Sequence, residues 1–373
     1  GNQLQRVLDA GLYDVVVEEN VNDDPEEYDV AAVELVPRNT GETVMHSAPN
    51  NDFSELDDRS ELYEVMNESR VVENDVIAIR DADRSSQDTR ADVAVHAIDI
   101  SGIYGAGLAG AQVNSFDDGQ TIAEALFESG SLVLEVEQQD VPQNEDENAL
   151  VIDSAADANN DDINYVVDND NNTLFISLRT SGIPDAETGD EYVTSLNVTN
   201  SHLNNFRLPS EEEDTSPEDV DEQEETRGNF SLVDREATFE TVDEQVRVNP
   251  EENQVISGTT TVAPGTEIRV RARADTQDTG NGGVTPFLKT NTPRVSNNGT
   301  FEAVLDFSDA EVGQNFTASI PGQSFDEDAE TDGRVVEGDI SEVEITNQTT
   351  DGTTATVDRV YVPDGGFVTI HDG

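Results

Sequence analysis

The residues best suited to chemistry form a run of oxygen donors that begins at Asp168. Asp168, Asp170 and Asn172 occupy positions 1, 3 and 5 of a calcium-type loop. Position 6 is Thr173, where such a loop needs Gly, and position 12 is Arg179, where it needs a bidentate Glu. The sequence therefore excludes an EF-hand. It leaves two interpretations, a hairpin turn or a weak calcium or magnesium site at Asp168, Asp170 and Asn172.

A second motif is glycine-rich, since Gly105, Gly107 and Gly110 match G-x-G-x-x-G. This pattern binds dinucleotide phosphates when the last Gly opens a helix inside a parallel βαβ unit. Residues 114–119 are rich in Asn, Ser, Asp and Gly, which break helices, and no βαβ pattern surrounds the motif. We therefore expect a glycine-rich loop or bulge here, not a phosphate site.

Other catalytic signatures are absent from the sequence. His46, His96, His202 and His371 are too far apart to form an H-E-x-x-H pair, and there is no Cys. G-x-S-x-G and P-loop motifs do not occur. With 82 Asp and Glu residues, no carboxylate pair can be singled out as catalytic. The sequence predicts a protein that is not an enzyme, with no catalytic residues and no cofactor beyond weakly bound calcium or magnesium.

One strand carries a row of guanidinium groups, because Arg269, Arg271 and Arg273 alternate with apolar residues. Alternation with period two places them on one face of a strand. They either pair with carboxylates on neighbouring strands or form an inter-subunit contact with the acidic surface of a neighbour.

Seven N-x-Ser/Thr sequons make up a third set of candidate sites. Such sequons accept N-linked glycans only in a secreted protein. They are Asn67, Asn171, Asn197, Asn229, Asn298, Asn315 and Asn347.

Charge sets the conditions under which this chain can fold. The net charge is −63, and its 19 basic residues comprise 18 Arg and one Lys, Lys289. Self-repulsion opposes compaction, and molar salt with a Debye length of roughly 3 Å would quench it. A nucleic-acid partner is excluded because phosphate binding needs a basic patch. The composition is typical of proteins from salt-in halophiles.

The elements that must position these residues are mostly strands, so the predicted class is all-β. Alternating apolar residues predict strands near residues 30–36, 93–100, 132–136, 174–178, 268–274, 301–307 and 357–362. Asp118-Gly119, Asn298-Gly299, Asp332-Gly333, Asp351-Gly352 and Asp364-Gly365 predict hairpin turns. Two short helices are expected at residues 54–66 and 121–128, the second with a Thr121–Glu124 capping box and a stop at Gly130.

Composition also predicts the domain boundaries. We expect an N-terminal β-rich domain over residues 1–208, which could hold two subdomains, and an acidic linker over residues 209–227. A β-sandwich follows over residues 228–338, and residues 339–373 begin a further small β domain. No apolar run reaches the roughly 18 residues of a membrane helix, so membrane attachment is expected only through a segment outside this sequence.

Several segments in this order resemble the surface domains of haloarchaeal S-layer-type glycoproteins. They are residues 71–77, 101–106, 166–170, 189–192, 232–239, 255–260, 263–266, 298–301, 305–309 and 313–317. Residues 345–352 and 363–368 resemble another small β domain of haloarchaeal surface proteins.

The resemblance implies tandem Ig-like sandwiches, secretion to the cell surface, N-glycosylation and a structural role in the S-layer or cell wall. It also implies self-association or contact with neighbouring surface proteins and glycans. Two alternatives stay open, a surface adhesin or ligand-binding module and the non-catalytic part of a secreted halophilic hydrolase. With no Trp and 5% aromatic residues, the chain is poorly supplied for a ligand-binding platform.

Overall fold

The computed structural model describes most of the chain. The described residues are 11–21, 24–36, 38–79, 91–141, 148–198, 224–275, 285–322, 325, 329–337, 342–344, 356–357 and 359–361. The chain divides into two compact units. One comprises Gly1–Asp234 with Ala263–Gly265, and the other comprises Arg235–Val262 with Thr266–Gly373.

The first unit contains twelve named strands and four helices. The strands are β1 Gly11–Val21, β2 Asp24–Leu35, β3 Thr40–Ala48, β4 Val72–Glu73, β5 Val76–Ile79, β6 Val93–Ile100, β7 Leu132–Gln138, β8 Ala149–Ile152, β9 Ile163–Asp168, β10 Thr173–Arg179, β11 Glu191–Val198 and β12 Glu224–Asp234. The helices are α1 Arg59–Asn67, α2 Tyr104–Ala111, α3 Gly119–Glu128 and α4 Ala155–Ala158, with 3₁₀ turns at Asn50–Glu55 and Thr180–Gly182.

Ten of these strands form two five-stranded sheets, in the orders β4-β3-β6-β10-β9 and β5-β12-β11-β7-β8. Neighbours are antiparallel, except that β5 runs parallel to β12. In immunoglobulin terms, the first sheet holds strands A, B, E and D as β3, β6, β10 and β9. The second sheet holds A′, G, F, C and C′ as β5, β12, β11, β7 and β8. The first unit is therefore one Ig-like sandwich with helical insertions.

The second unit repeats this strand order with fewer insertions. Its strands are β13 Ala237–Phe239, β14 Val246–Val248, β15 Gln254–Thr260, β16 Val270–Ala274, β17 Phe287–Asn291, β18 Thr300–Leu305, β19 Asn315–Ser319 and β20 Glu330–Val335, with β21 Glu342–Glu344 and β22 Arg359–Tyr361 paired separately. The sheets are β13-β15-β18 and β14-β20-β19-β16-β17, with β14 parallel to β20. They correspond to A-B-E and A′-G-F-C-C′. The predicted all-β class with tandem Ig-like sandwiches is confirmed.

Buried apolar side chains explain why these strands pack as they do. In β7, Leu132, Leu134 and Val136 face the core between the sheets, and burying each such side chain stabilises the fold by about 1.5–3 kcal/mol. The sheet that contains β6 is buried on its other face as well, because α1 and the first 3₁₀ turn cover it. This double burial accounts for the nearly continuous apolar sequence of β6. In the second unit, the Phe307 and Phe316 rings pack with 5.4 Å between their centroids and a tilt of 41° between their planes.

Helix content exceeds the one or two short helices that the sequence predicts. The helix expected over residues 54–66 is a 3₁₀ turn followed by α1, which Asp58 caps by accepting from Ser60 N at 2.8 Å. The helix expected over residues 121–128 is α3, with Gly130 at its end and a φ of 66°. Its cap is Asp118, which accepts from Thr121 N at 3.0 Å, so the predicted Thr121–Glu124 capping box is wrong.

Two of the five predicted hairpin turns are wrong. Asp118-Gly119 begins α3, because the Asp side chain caps the helix. Asp332-Gly333 lies inside β20, where a Cβ at Gly333 would come within 2.2 Å of the Phe316 ring. Here Gly provides room for an aromatic side chain and not a turn conformation. Asn298-Gly299 does form a turn, with Gly299 at φ 75°, and the remaining two pairs lie outside the described residues.

The predicted boundary at residue 208 and the end of the predicted linker also differ from the structure. Residues 224–227 belong to β12, which pairs with β11 and β5 inside the first sandwich. Although β12 begins with acidic residues, buried and exposed side chains alternate along it, and this alternation is typical of a strand in a sandwich. The earlier part of the predicted linker, residues 209–223, lies outside the described residues. The first unit extends to Asp234 and holds one sandwich, with β1 and β2 paired in a separate two-stranded sheet.

Candidate functional site

The run of oxygen donors at Asp168 is the hairpin connection between β9 and β10. Asp168 is fully buried and its carboxylate is held by donors from three side chains. Tyr63 Oη donates at 2.5 Å, Asn171 Nδ2 donates at 2.6 Å, and Arg59 Nη2 forms an ion pair at 2.8 Å. The backbone N–H of Asp170 donates at 3.1 Å.

These donors set the charge state of Asp168 and occupy its oxygens. Burial alone would raise the pKa of the Asp168 carboxyl, but hydrogen bonds from Tyr63 and Asn171 and the charge of Arg59 together lower it. Asp170 pairs with Arg59 at 2.9 Å. Within the described part of the chain, no group of three or more His, Asp or Glu is placed to hold a metal ion. Two of the three residues predicted to bind a cation, Asp168 and Asp170, are therefore already paired with Arg59.

The glycine-rich motif forms the helix α2, which corrects the expected loop or bulge. A Cβ at Gly107 would lie 2.5 Å from Ile122 Cγ2, so Gly107 lets α2 pack closely against α3. Gly105, by contrast, faces open space. No side chain caps the N-terminus of α2, and the preceding strand β6 has only antiparallel neighbours. The motif is a helix-packing device in an antiparallel sandwich.

His96 is the most buried titratable side chain outside the Asp168 cluster. Its Nδ1 lies 3.1 Å from the Ile176 carbonyl oxygen, and its Nε2 lies 2.8 Å from Thr194 Oγ1. Burial lowers the pKa of His96 to about 4, and burial also lowers the pKa of His46. His96 thus joins the two sheets as a neutral imidazole. His202 and His371 lie outside the described residues.

The predicted row of guanidinium groups lies on the outer face of the second unit's larger sheet. The inward-facing residues of β16 are buried, namely Val270, Ala272 and Ala274. The side chains of Arg269 and Arg273 are exposed. Arg271 Nε donates to Ser319 Oγ at 3.2 Å, and Arg273 pairs with Asp275 at 3.0 Å.

Arg247 of β14 and Arg334 of β20 extend this row. Cross-strand register places Arg334 beside both Asn315 and Arg247. The residues that flank each of them are buried, Val246 and Val248 on β14 and Gly333 and Val335 on β20, so both side chains point outward. Sequence reasoning missed them, although Val246-Arg247-Val248 shows the same alternation as β16.

The sequons differ in the exposure of their Asn residues and in whether the side-chain amide nitrogen is hydrogen-bonded. Asn67, Asn229, Asn298 and Asn315 are exposed, whereas Asn197 is half-buried in the central strand β11. Asn171 is exposed as a residue, but its Nδ2 is bound to Asp168. Asn347 lies outside the described residues.

A cleft of about 350 Å³ lies in the second unit between β13 and β20. Its walls carry one aromatic side chain, Phe239, and the carboxylate residues Glu236 and Glu330. Its lining holds no His and no Cys. With one aromatic side chain, the cleft gives little support to the alternative of a surface adhesin or ligand-binding module.

Comparison with curated proteins gives matches along nearly the whole chain. Cell surface glycoprotein 1 of Haloarcula hispanica is 29% identical over 385 residues, covering 98% of this chain and 38% of that protein. Cell surface glycoprotein 2 of the same organism is 28% identical with the same coverage. The chain is similar to haloarchaeal cell surface glycoproteins. The resemblance seen in the sequence is confirmed at this level, and an extracellular, cell-surface location agrees with it.

A third relative broadens the comparison to another genus. The cell surface glycoprotein of Haloferax gibbonsii is 28% identical over 335 residues, covering 88% of this chain and 34% of that protein. This chain therefore spans well under half the length of the curated relatives that it matches. A family model described as a domain of unknown function (DUF7282) matches residues 341–373.

Solved structures give distant likenesses. The tetra-tandem repeat in the extending region of a large adhesion protein is 12% identical, with a TM-score of 0.22 and coverage of 76% of this chain and 54% of that chain. A chimeric titin Z1Z2 is 9% identical, with a TM-score of 0.25 and coverage of 66% and 89%. The fold class rests on the strand orders given above. Among the described residues, no helix is both long and apolar enough to cross a membrane.

Proposed function

We propose that this chain is part of a non-enzymatic structural component of a haloarchaeal cell envelope, an S-layer or S-layer-like glycoprotein. The observation that carries the proposal is the similarity to haloarchaeal cell surface glycoproteins over 98% of the chain. Similarity of this extent reaches both sandwiches and is not confined to one motif.

The contacts of the polar residues support a structural role. The motifs that could have served catalysis hold the fold together instead: the Asp168 cluster ties α1 to the β9–β10 hairpin, Gly107 packs two helices, and His96 joins two sheets. The pKa of His96 is strongly lowered, but its largest cause is burial between the two sheets and not a charged partner.

The proposed partners are further copies of this protein, neighbouring surface proteins and glycans. Calcium or magnesium would bind weakly and at many places through exposed carboxylates, since hard cations prefer oxygen ligands. Binding shared between neighbouring subunits would favour the assembled form by mass action. Titration calorimetry in molar KCl should show several weak sites. A single tight site, or no heat at all, would contradict this part of the proposal.

Location and order in the native envelope test the main proposal. An antibody raised against this chain should label the outside of intact host cells in a regular two-dimensional pattern by electron cryotomography. Brief protease treatment of intact cells should release peptides of both units. Labelling that is confined to the cell interior, or scattered without order, would rule out an S-layer role. Hydrolytic turnover by the purified chain would rule out a purely structural one.

A further inference from the structure

The outer face of the sheet β14-β20-β19-β16-β17 gathers five arginines on a strongly acidic protein, beside two exposed carboxylate residues of β20, Glu330 and Asp332. Arg247, Arg334, Arg273, Arg271 and Arg269 line this face, and we call it the arginine face. Four of them belong to β14, β16 and β20, which are hydrogen-bonded into one sheet through β19, and Arg269 directly precedes β16. The whole chain has only 19 basic residues against 82 acidic ones, so five on one sheet face is a marked concentration.

Three arginines of this face differ from the other basic residues in ion pairing, whereas Arg247 pairs with Asp243 and Arg273 pairs with Asp275. Elsewhere on the described chain, basic side chains pair with nearby carboxylates: Arg38, Arg59, Arg70, Arg179, Arg227, Lys289 and Arg294 do so. Arg269, Arg271 and Arg334 form no ion pair with any carboxylate of the described residues. Arg271 instead donates to a neutral hydroxyl, Ser319 Oγ.

Because the chain is so acidic, guanidinium groups without an intramolecular carboxylate indicate that their partner lies on another molecule. Carboxylates outnumber basic groups by more than four to one, so intramolecular partners are easily supplied. In molar salt, long-range attraction is screened within roughly 3 Å, and only direct hydrogen-bonded pairs survive. Arg forms such pairs well because its planar fork bonds a carboxylate with two parallel N–H groups.

We propose that the arginine face docks a carboxylate-rich surface of a second copy of this chain. Charge complementarity selects this occupant, because a protein with net charge −63 presents carboxylates on most of its surface. Two arginine faces would repel each other, so the contact is heterologous: the face of one copy binds a different surface of the next. Heterologous contacts build rings or extended arrays. This inference rests on the proposed structural role and names the surface that would carry it.

Sedimentation velocity of the full chain in molar KCl, over a range of protein concentrations, tests the proposal. The wild-type chain should sediment faster as its concentration rises. R334Q should weaken association about tenfold, which is ~1.4 kcal/mol. R269Q/R271Q/R334Q should stay monomeric with an unchanged circular dichroism spectrum. R227Q is the matched control, because Arg227 is also exposed to solvent but already pairs with Glu225 at 2.9 Å, and this variant should associate as wild type does.

Two results would overturn the proposal. One is a wild-type chain that is monomeric at every concentration, and the other is a triple variant that associates like wild type. If the monomeric wild-type chain is retained on an immobilised polyuronate and the triple variant is not, the face binds acidic glycan and not a second copy. The antibody experiment on intact cells measures where the chain lies and does not depend on self-association. The docking proposal can therefore fail while the proposed structural role holds, and the reverse.

Discussion

The Tyr63 hydroxyl donates a 2.5 Å hydrogen bond to the fully buried carboxylate of Asp168, across 105 residues of sequence. Tyr63 also packs edge-on against Phe175, with 6.0 Å between ring centroids. One side chain therefore fixes α1 against the β9–β10 hairpin by both polar and apolar contact. A buried carboxylate that loses a donor is costly, because its desolvation is no longer offset.

Replacing Tyr63 by Phe should destabilise the chain by about 1–3 kcal/mol, since the ring contact stays while the donor is lost. Urea unfolding in molar KCl, followed by circular dichroism, measures this. Tyr104→Phe is the matched control, because the buried Tyr104 hydroxyl has no hydrogen-bond partner among the described residues. That change should be neutral or slightly stabilising. Equal effects of the two substitutions would show that the bond to Asp168 contributes nothing.

The packing role of Gly107 can be separated from its helix propensity. Gly107→Ala places a Cβ 2.5 Å from Ile122 Cγ2 and should destabilise the chain by about 1–3 kcal/mol through overpacking. Gly105→Ala in the same helix meets no atom within 4 Å and should stabilise by up to about 1 kcal/mol. Thermal unfolding of both variants gives the comparison. A stabilising Gly107→Ala would show that α2 and α3 do not pack closely.

Local patterning predicted the strands well where one face is buried and the other exposed. The strand expected over residues 132–136 matches β7, and the alternation over residues 268–274 gives β16. The hairpin turn predicted at Asp332-Gly333 is wrong, because Gly is needed there to make room for the Phe316 ring on a neighbouring strand. A residue's tertiary neighbours are not encoded in its local sequence, so this type of error is expected.

The candidate sites show the same limit more strongly. The sequence identified Asp168 as a polar residue of interest, but its partners Arg59 and Tyr63 are over a hundred residues away. Likewise, the shared Ig-like strand order of the two units is invisible in the sequence, because topology depends on pairing and not on residue identity. The local alternation did predict Arg269, Arg271 and Arg273 on one face.

Acidification should weaken the first unit before its carboxylates titrate. The folded pKa of His96, about 4, lies below its unfolded value of 6.5, so the unfolded chain binds the proton first. Stability is complete above pH 6.5, falls as the pH drops toward 4, and levels off below. The loss from His96 is about 3 kcal/mol, at ~1.4 kcal/mol per pH unit. His46 acts with the same sign.

His96→Gln removes this titration and isolates its contribution. The difference in melting temperature between wild type and variant should shrink from pH 7 to pH 4.5 in molar KCl. Asp168 does not interfere, because its lowered pKa confines its loss of stability to pH below about 3.8. A difference that is constant across this range would mean that His96 is not buried as a neutral imidazole.

Glycan occupancy should follow the availability of each amide nitrogen. Asn298 lies in an exposed turn, and Thr300 Oγ1 donates to its Oδ1 at 2.8 Å, which leaves Nδ2 to react. Asn171 is also at a turn, but its Nδ2 donates to Asp168. Mass spectrometry of protein from its own host should therefore find Asn298 more fully modified than Asn171. A bare Asn298 beside a modified Asn171 would contradict this.

Asn315 gives a related result that bears on the arginine face. It lies beside Arg334, so a glycan there would stand on that face and block docking. Assembled material should carry no glycan at Asn315. A glycan at Asn315 in assembled protein would oppose the docking proposal while leaving the surface role intact.

Salt concentration should decide whether the chain folds at all. The whole chain has a net charge of −63 after all 19 basic residues are counted against its 82 acidic residues. The Debye length grows from roughly 3 Å at 1 M salt to about 10 Å at 0.1 M, so neighbouring carboxylates begin to repel one another on dialysis. We expect the far-ultraviolet β signal to be lost between these limits and to return when KCl is restored.

Sucrose of equal osmolality is the control, because it strengthens the effective burial of apolar groups without screening charge. Recovery in KCl but not in sucrose would assign the effect to charge repulsion. Equal recovery in both would assign it to weak hydrophobic cores, and a spectrum and melting temperature that do not change with salt would contradict the prediction entirely.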